Sequence, residues 1–330
     1  MCGIVGFIDK EKNKKKIIKN MADKIAHRGP DAEGFYVDND IALGHRRLSI
    51  IDLSNGKQPM YNEDESLVVV FNGEIYNYPE LKTELKKHKH KFATKSDTEV
   101  LLHGYEEWGK DLPKKLRGMF AFAIWDKNTK TLFCARDNFG IKPLYFYQND
   151  EVFMFASEIK SFLEHPKFKK ELNKEILASY LSFSFTPTNE TFFKNVYRLE
   201  PGYSLTIKDG EIKKDRFYKI EFNEKTEDYK KSVDKIAKVM QDSVNHHMLS
   251  DVEVGSFLSS GIDSSYLVSL AKPAKTYTVG YDIPKYNEID YAKDLTDKLN
   301  ITNISKKITK EEYMNIIPKI MYHMDEPSSD

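Results

Sequence analysis

The rhythm of apolar runs in this 330-residue chain changes after about Phe217, from a succession of strands to an alternation of strands and helices, and that change limits the fold more than any other feature. From Ile41 to about Ser157 they fall in short alternating or fully apolar runs: IALGHRRLSI, SLVVVFNG, FAFAIWD, TLFCARD, LYFYQ and VFMFASE. Such runs read as strands, and Asn128, Asn149 and Asp150 stand where turns between them are needed, so the spacing predicts antiparallel meanders. Helical periodicity interrupts twice: Leu81 and Leu85 in PELKTELKK, and SDTEVLLHGYEEW, with Ser96 and Asp97 as N-cap candidates and Glu99 in the first turn. The first part is therefore expected to be mixed, its sheets covered by helices.

Beyond Phe217 strands and helices alternate. Val233, Ile236, Val239, Met240 and Val244 mark a helix, VEVGSFL a buried strand, DSSYLVSLA a helix, KTYTVGY a strand and EIDYAKDLTDKL a helix, which argues for a parallel α/β sheet. The charged stretch from Lys219 to Lys231 reads as a linker or the start of the next helix. The length also exceeds what one core comfortably fills, so two domains are expected. The lysine-rich run from Lys10 to Lys19 reads as a solvated helix face.

Charge narrows the function classes. Lys+Arg and Asp+Glu both number 51, so no net field draws the chain to nucleic acid or to an anionic membrane. The apolar runs, such as Met119 to Trp125, are too short to span a bilayer, and the N-terminus has no apolar signal region, so a cytoplasmic enzyme of small molecules is expected. With only Cys2 and Cys134 there is no disulfide framework. Cys134 lies in an apolar strand and reads as core.

Cys2 has two readings. If Met1 is removed, one residue carries both a thiol and a free α-amine; an amine titrating near ~8 beside a thiol near ~8.5 serves as its base without a histidine. Alone, a cysteine is more often a small buried hydrophobe. Its context reverses that preference. MCGIVG, HRGPD (His27 to Asp31), RRLSIIDL (Arg46 to Leu53), FNGEIYN (Phe71 to Asn77), SDTE (Ser96 to Glu99) and RDNFGIKPLY (Arg136 to Tyr145) stand in one order along the chain. In that order and spacing they resemble the class II glutamine amidotransferases, and among these the glutamine-dependent asparagine synthetases.

The resemblance implies an α+β N-terminal-nucleophile sandwich, two antiparallel sheets between helical layers, followed by a partial α/β parallel-sheet domain of ATP-pyrophosphatase type. The expected boundaries are 2–216 for the glutaminase domain, 217–231 for a linker and 232–330 for the N-terminal part of the synthetase domain. Cys2 would attack the glutamine amide, and the oxyanion would be met by the Asn72 side chain and the Gly73 N–H. Taken alone, Asn72-Gly73 also reads as a hairpin turn. The resemblance assigns Arg47 to the α-carboxylate of glutamine, and Glu74 with Asp97 to its α-ammonium. The bland alternatives are helix capping for Asp97 and a surface ion pair for Arg47. His27 to Asp31 read as structural support of the pocket.

A second constellation lies in VEVGSFLSSGIDSSYLVSL, where a strand, a small polar loop and a helix start follow one another. N–H groups and hydroxyls of Ser259, Ser260, Gly261, Ser264 and Ser265 are placed to cradle a pyrophosphate at a helix N-terminus, although a plain serine-capped turn fits the same letters. The segment resembles the family's ATP loop, with Leu258 and Asp263 also in the site and with Ser260 standing for the first of two usual glycines. The resemblance carries Val279 and Gly280 over as adenine contacts, and makes Asp263 and Asp330 magnesium ligands.

The implied reaction is glutamine-dependent asparagine synthesis from glutamine, aspartate and ATP with Mg2+, in which ammonia displaces AMP from an adenylated aspartate. Family members continue past the equivalent of Asp330, so the chain is expected to be a fragment whose last sheet leaves apolar surface uncovered. A homodimer is one option for its assembly. Rival readings are an amidotransferase with another acceptor, a stand-alone glutaminase, and a non-catalytic fragment or regulatory protein in which Met1 still blocks Cys2.

Overall fold

A computed structural model describes residues 1–327. Two compact units divide at Glu221: the first comprises Met1–Glu221 with a return segment from Met324, and the second Phe222–His323.

In the first unit the alternation of each strand sorts its side chains between two cores. One sheet has the order β10-β8-β9-β1-β3-β2, built from β1 (Gly3–Ile8), β2 (Ala32–Val37), β3 (Ile41–Arg47), β8 (Tyr145–Gln148), β9 (Phe153–Ala156) and β10 (Val196–Arg198). The other has the order β12-β11-β7-β6-β5-β4, from β4 (Met60–Tyr61), β5 (Leu67–Ile75), β6 (Gly118–Asp126), β7 (Thr131–Arg136), β11 (Tyr203–Lys208) and β12 (Glu211–Arg216). All pairings within them are antiparallel.

Ile4, Ile41, Leu43, Val68, Val70, Ala121, Ala123 and Cys134 meet between the sheets. The intervening Val5, Phe7 and Ala42 pack instead under α1 (Lys14–Asp23) and a 3-10 segment at Ile159–Glu164. Val69, Phe71, Phe120 and Phe122 pack under α2 (Tyr78–Lys87), α3 (Glu99–Trp108) and the short α4 (Leu112–Lys115). The result is the expected sandwich, helix, sheet, sheet, helix, because the near-continuous apolar runs of the central strands supply a buried side chain to each face in turn. A further short helix, α5 (Leu177–Phe183), precedes β10.

Lysine 14 departs from the sequence reading. It is 5% exposed on α1 and pairs with Asp9 at 2.9 Å, so the basic run is solvated everywhere except at the one lysine with a buried carboxylate to meet.

In the second unit α6 (Tyr229–His247) precedes a parallel sheet in the order β13-β14-β15, from β13 (Gly255–Phe257), β14 (Lys275–Tyr281) and β15 (Thr302–Ile308). The intervening helices are α7 (Ile262–Ala271) and α8 (Ile289–Leu299), and α9 (Lys310–Met324) follows. Leu258, Val268 and Ala292 form its small core. The strand read as buried in VEVGSFL is not: only three residues form β13, and Phe257 is 83% exposed. Tyr277, Val279, Tyr281 and Ile304 are exposed as well, so only one face of this sheet is covered in the unit. Apolar letters report a strand's capacity for burial, and a neighbour has to supply the burial itself. Among the described residues, no helix is long and apolar enough to cross a membrane.

Candidate active site

The same alternation that fills the inter-sheet core delivers polar groups to one end of it. Cys2 precedes Ile4 by two, His45 and Arg47 continue the series Ile41 and Leu43, and Asn72 and Glu74 continue Val68 and Val70, all toward the inner face. Where these series run out of apolar letters a cavity of about 190 Å³ opens. Its lining includes Cys2, Arg47, Asn72, Gly73, Glu74 and Asp97, the six residues expected from the sequence to handle glutamine.

The Cys2 sulfur donates to the Leu48 carbonyl at 3.6 Å and accepts from the Leu48 N–H at 3.4 Å, while Arg28 Nε donates to the Cys2 carbonyl at 2.9 Å. Arg28 is held in turn by Glu158 at 2.9 Å, and Asp31 accepts the Ser49 N–H at 2.8 Å, so the HRGPD segment braces both Cys2 and the strand end beside it. Burial pushes the Cys2 thiol up and draws the Met1 α-ammonium down from their ordinary values. The enclosed end of the sandwich therefore favours neutral thiol and neutral amine.

Asn72 and Gly73 are not a turn. Both lie inside β5, opposite Ala121 and Phe120 of β6. Phe120 directs its N–H and carbonyl to Asp137, at 3.1 and 2.8 Å, so the Gly73–Phe120 pair is a non-hydrogen-bonded one. The N–H groups of Phe71, Gly73 and Ile75 consequently point to the open edge of β5 past β4. Gln58 Oε1 accepts from Phe71 at 2.6 Å and Asp97 Oδ2 from Ile75 at 2.9 Å. The middle donor, Gly73, faces the cavity between these two anchors. A Cβ at Gly73 would lie 2.2 Å from the Met119 carbonyl, so only glycine passes here. The Asn72 amide is buried with neither its oxygen nor its nitrogen hydrogen-bonded. An orphaned buried amide costs about 1–3 kcal/mol, a cost that a bound oxyanion would relieve.

Arg47 is buried, not a surface ion-pair partner. Its guanidinium donates to the carbonyls of Leu53, Ile51 and Asp52 at 3.0, 3.2 and 2.7 Å, which wraps the segment after β3 around it. Asp97 does not cap α3, whose N-cap is Thr98 with no side-chain bond. Burial raises the Asp97 carboxyl to about 7, the Ile75 N–H opposing and the nearby Glu74 adding to it. Burial raises Glu74 too, against Lys142. Two carboxylates crowded into one dry pocket await a cation. Lys142, Gln58, Thr98, Met119, Ile50, Ile51 and Gly56 also line the cavity and were not singled out from the sequence. Lys142 lay within a quoted segment. Its role was invisible because it depends on the loop that Asp137 ties down by accepting from the N–H groups of Phe139, Ile141 and Lys142 at 3.1, 2.9 and 3.0 Å.

In the second unit the loop Leu258 to Gly261 leads from β13 into α7, with Gly261 as its N-cap. Ser259 Oγ lies 2.9 Å from Ser264 Oγ and accepts the Gly261 N–H at 3.1 Å. Ser260, the residue replacing a usual glycine, donates its hydroxyl to Glu288 at 2.8 Å and its N–H to the same carboxylate at 3.4 Å. Asp263 is exposed in the first turn of α7, Val279 is exposed on β14, and Gly280 is buried, where a Cβ would meet Asn287 Oδ1 at 2.3 Å. The expected second metal ligand, Asp330, lies outside the described residues.

Comparison with known proteins follows this division. Residues 1–218 match the glutamine amidotransferase domain family and residues 235–330 the asparagine synthase family. Asparagine synthetase [glutamine-hydrolyzing] 1 of Bacillus subtilis is 47% identical over 341 residues, covering 100% of this chain and 54% of that protein. A relative of the same family name from Methanocaldococcus jannaschii is 36% identical, covering 100% of this chain and 69% of its own length. The chain spans about half the length of the first curated relatives it matches, 54%, 48% and 55%. In fold it resembles the glutamine phosphoribosylpyrophosphate amidotransferase of B. subtilis, with a TM-score of 0.51 at 19% identity, over 92% of this chain and 65% of that one.

Proposed function

Because the chain belongs to the glutamine-hydrolysing asparagine synthetases, within the class II glutamine amidotransferases, we propose that its first unit hydrolyses glutamine at Cys2 and that the whole protein uses the ammonia to make asparagine. One observation carries the reading: a thiol, an unpartnered buried amide, an open-edge glycine N–H, a buried arginine and two carboxylates share a single cavity of about 190 Å³.

Removal of Met1 makes the α-amine of Cys2 the base. It takes the thiol proton as the sulfur attacks the side-chain amide carbon of glutamine, and the new oxyanion accepts from Asn72 Nδ2 and the Gly73 N–H. The ammonium so formed returns its proton to the leaving nitrogen, which departs as ammonia and leaves a thioester on Cys2. A water, deprotonated by the same amine, cleaves the thioester to glutamate and restores the thiol. Arg47 binds the α-carboxylate, and Glu74 with Asp97 the α-ammonium, so a substrate lacking either group is rejected.

The residues of the second unit suit an adenylating site. Hydroxyls of Ser259 and Ser264 and the N-terminus of α7 offer donors for phosphate oxygens, with Leu258, Val279 and Gly280 beside the base. The exposed Asp263 carboxylate has the donor chemistry to hold Mg2+ together with phosphate oxygens. The bound cation would neutralise phosphate charge during activation of the aspartate side chain. Glu288 must yield Ser260 when an anionic ligand arrives. The test is glutamate release by the purified protein and by Cys2→Ala: loss in the mutant is expected, and unchanged release would remove the mechanism. The alternative acceptor is excluded if AMP and pyrophosphate form from ATP only when aspartate is present.

A further inference from the structure

Away from the glutamine cavity, one histidine on the connector between α2 and α3 meets a histidine and a glutamate of α3. We propose that His90, His103 and Glu106 form a site for a divalent cation of the zinc class, and that the bound ion ties the connector to α3. The inference stands apart from the catalytic reading.

One donor atom from each of the three lies within 4.8 Å of the others. Glu106 Oε2 is 2.9 Å from His103 Nδ1 and 3.3 Å from His90 Nδ1. A tetrahedral ion with ligand bonds of ~2.0–2.1 Å sets its donors about 3.3–3.4 Å apart, so small rotations of these side chains complete the set. Two imidazoles and one carboxylate select zinc over magnesium or calcium, which prefer oxygen throughout. Glu63, whose carboxylate is 3.8 Å from His103 Nδ1, or a water supplies the fourth position.

The surrounding groups are those a metal site uses. A ligating histidine characteristically gives its second ring nitrogen to a carboxylate. His103 Nε2 lies 3.7 Å from Glu99, a buried carboxylate that the N–H groups of Ala93 and Thr94 hold at 2.6 and 2.8 Å. His90 Nε2 lies 3.4 Å from Glu107. The second oxygen of Glu106 is also engaged, since Asn62 Nδ2 donates to Oε1 at 2.7 Å, and Asn62 is buried and fixed by Ser66 and the Leu67 N–H. Oε2 is thereby left to the histidines.

The connector that His90 belongs to runs on to Lys95, whose N–H donates to Asp52 at 2.8 Å, and then to Asp97 of the glutamine cavity. A bound ion would hold the first part of that connector against α3.

The experiment is calorimetric titration of zinc chloride into the metal-stripped full chain carrying Cys2→Ala, which removes the competing thiol. His90→Ala is the decisive variant because it truncates a side chain on a connector, whereas His103 is packed in α3. We expect one equivalent of zinc in the parent and none in His90→Ala, with affinity about 10–100-fold weaker in Asn62→Ala. Zinc should also raise the thermal midpoint of the parent and not that of His90→Ala. Failure of zinc to bind at tenfold excess over protein, equal binding by His90→Ala, or an unchanged affinity in Asn62→Ala would each overturn the proposal.

Discussion

At the scale of single residues, the cavity beside Cys2 is a set of groups held in states they would not choose in water. The raised Asp97 carboxyl, at about 7 through burial, gives a signed prediction. Below that pH it is protonated and cannot pair with an ammonium, so the glutamine KM should rise as pH falls through about 7 while kcat follows the Cys2 amine. Asp97→Asn should remove this acid limb from the KM profile and raise KM at pH 8 by about 10–100-fold, the loss of one charged hydrogen bond. The linkage runs the other way for folding. A carboxyl with a raised folded-state pKa binds its proton more tightly folded than unfolded, so stability declines as pH climbs from about 4 to 7. Above that range Asp97→Asn should melt about 2–4 °C higher than the parent, as a gain of ~1 kcal/mol does in a unit of this size. In the proposed mechanism Asn72 contributes only when the oxyanion forms. Asn72→Ala should lower kcat by about 100–1,000-fold with little change in KM, and a steady-state assay showing the reverse split would reassign it to ground-state binding.

At the scale of elements, β3 and β5 to β9 were legible because short alternating or fully apolar runs such as SLVVVFNG and VFMFASE are bounded by turn residues, whereas β1, β2, β4 and β10 to β12 were not read from the sequence. The position of Asn72 and Gly73 within β5 was not. Asn-Gly is a turn signal wherever nothing longer-range intervenes, and here pairing of β5 with β6 through Ile75 and Gly118 overrides it. Asp97 and Arg47 were placed by family resemblance; the buried state of Asp97 depends on the Ile75 N–H, 22 residues away, and that of Arg47 on a loop, Ile51 to Leu53, whose wrapping no periodic pattern announces. Lys142 and Gln58 went unnoticed for the same reason: a lone lysine or glutamine in a loop carries no periodic signal. The segment around Arg47 is itself testable. A Cβ at Gly56 would come within 2.5 Å of Arg47 Nη2 and 2.9 Å of the Asp52 carbonyl. Gly56→Ala should therefore tilt the guanidinium and raise the glutamine KM by roughly tenfold at unchanged kcat, since about 1.4 kcal/mol of uniform binding corresponds to that factor.

At the scale of the whole molecule, the chain comes back to its first unit after the second is complete, at residues that no periodicity marks. Asp325 accepts the Ile159 N–H at 2.5 Å and meets the Lys160 ammonium at 2.8 Å, while Glu326 pairs with Arg198 at 2.7 Å and accepts the Phe192 N–H at 3.2 Å. Lys160 is buried, with a side chain 3% exposed, and Glu158 is its other carboxylate partner. That same Glu158 holds Arg28, and Arg28 holds the Cys2 carbonyl, so the return segment joins the chain of charges that braces Cys2. Removing one partner from a buried ionic cluster costs about 3–5 kcal/mol when a charge is left uncompensated, and here the remaining carboxylate offsets part of it. Asp325→Ala should accordingly lower the melting transition of the first unit by several degrees. A chain ending at His323 should show a larger drop, because Arg198 loses Glu326 as well. Hydrogen exchange locates the effect: faster exchange is expected at the Ile159 and Lys160 amides, where Asp325 accepts, and at Phe192, where Glu326 does. Equal protection there in the shortened and full chains would mean that the first unit is complete at Glu221 and that the return segment contributes nothing to it.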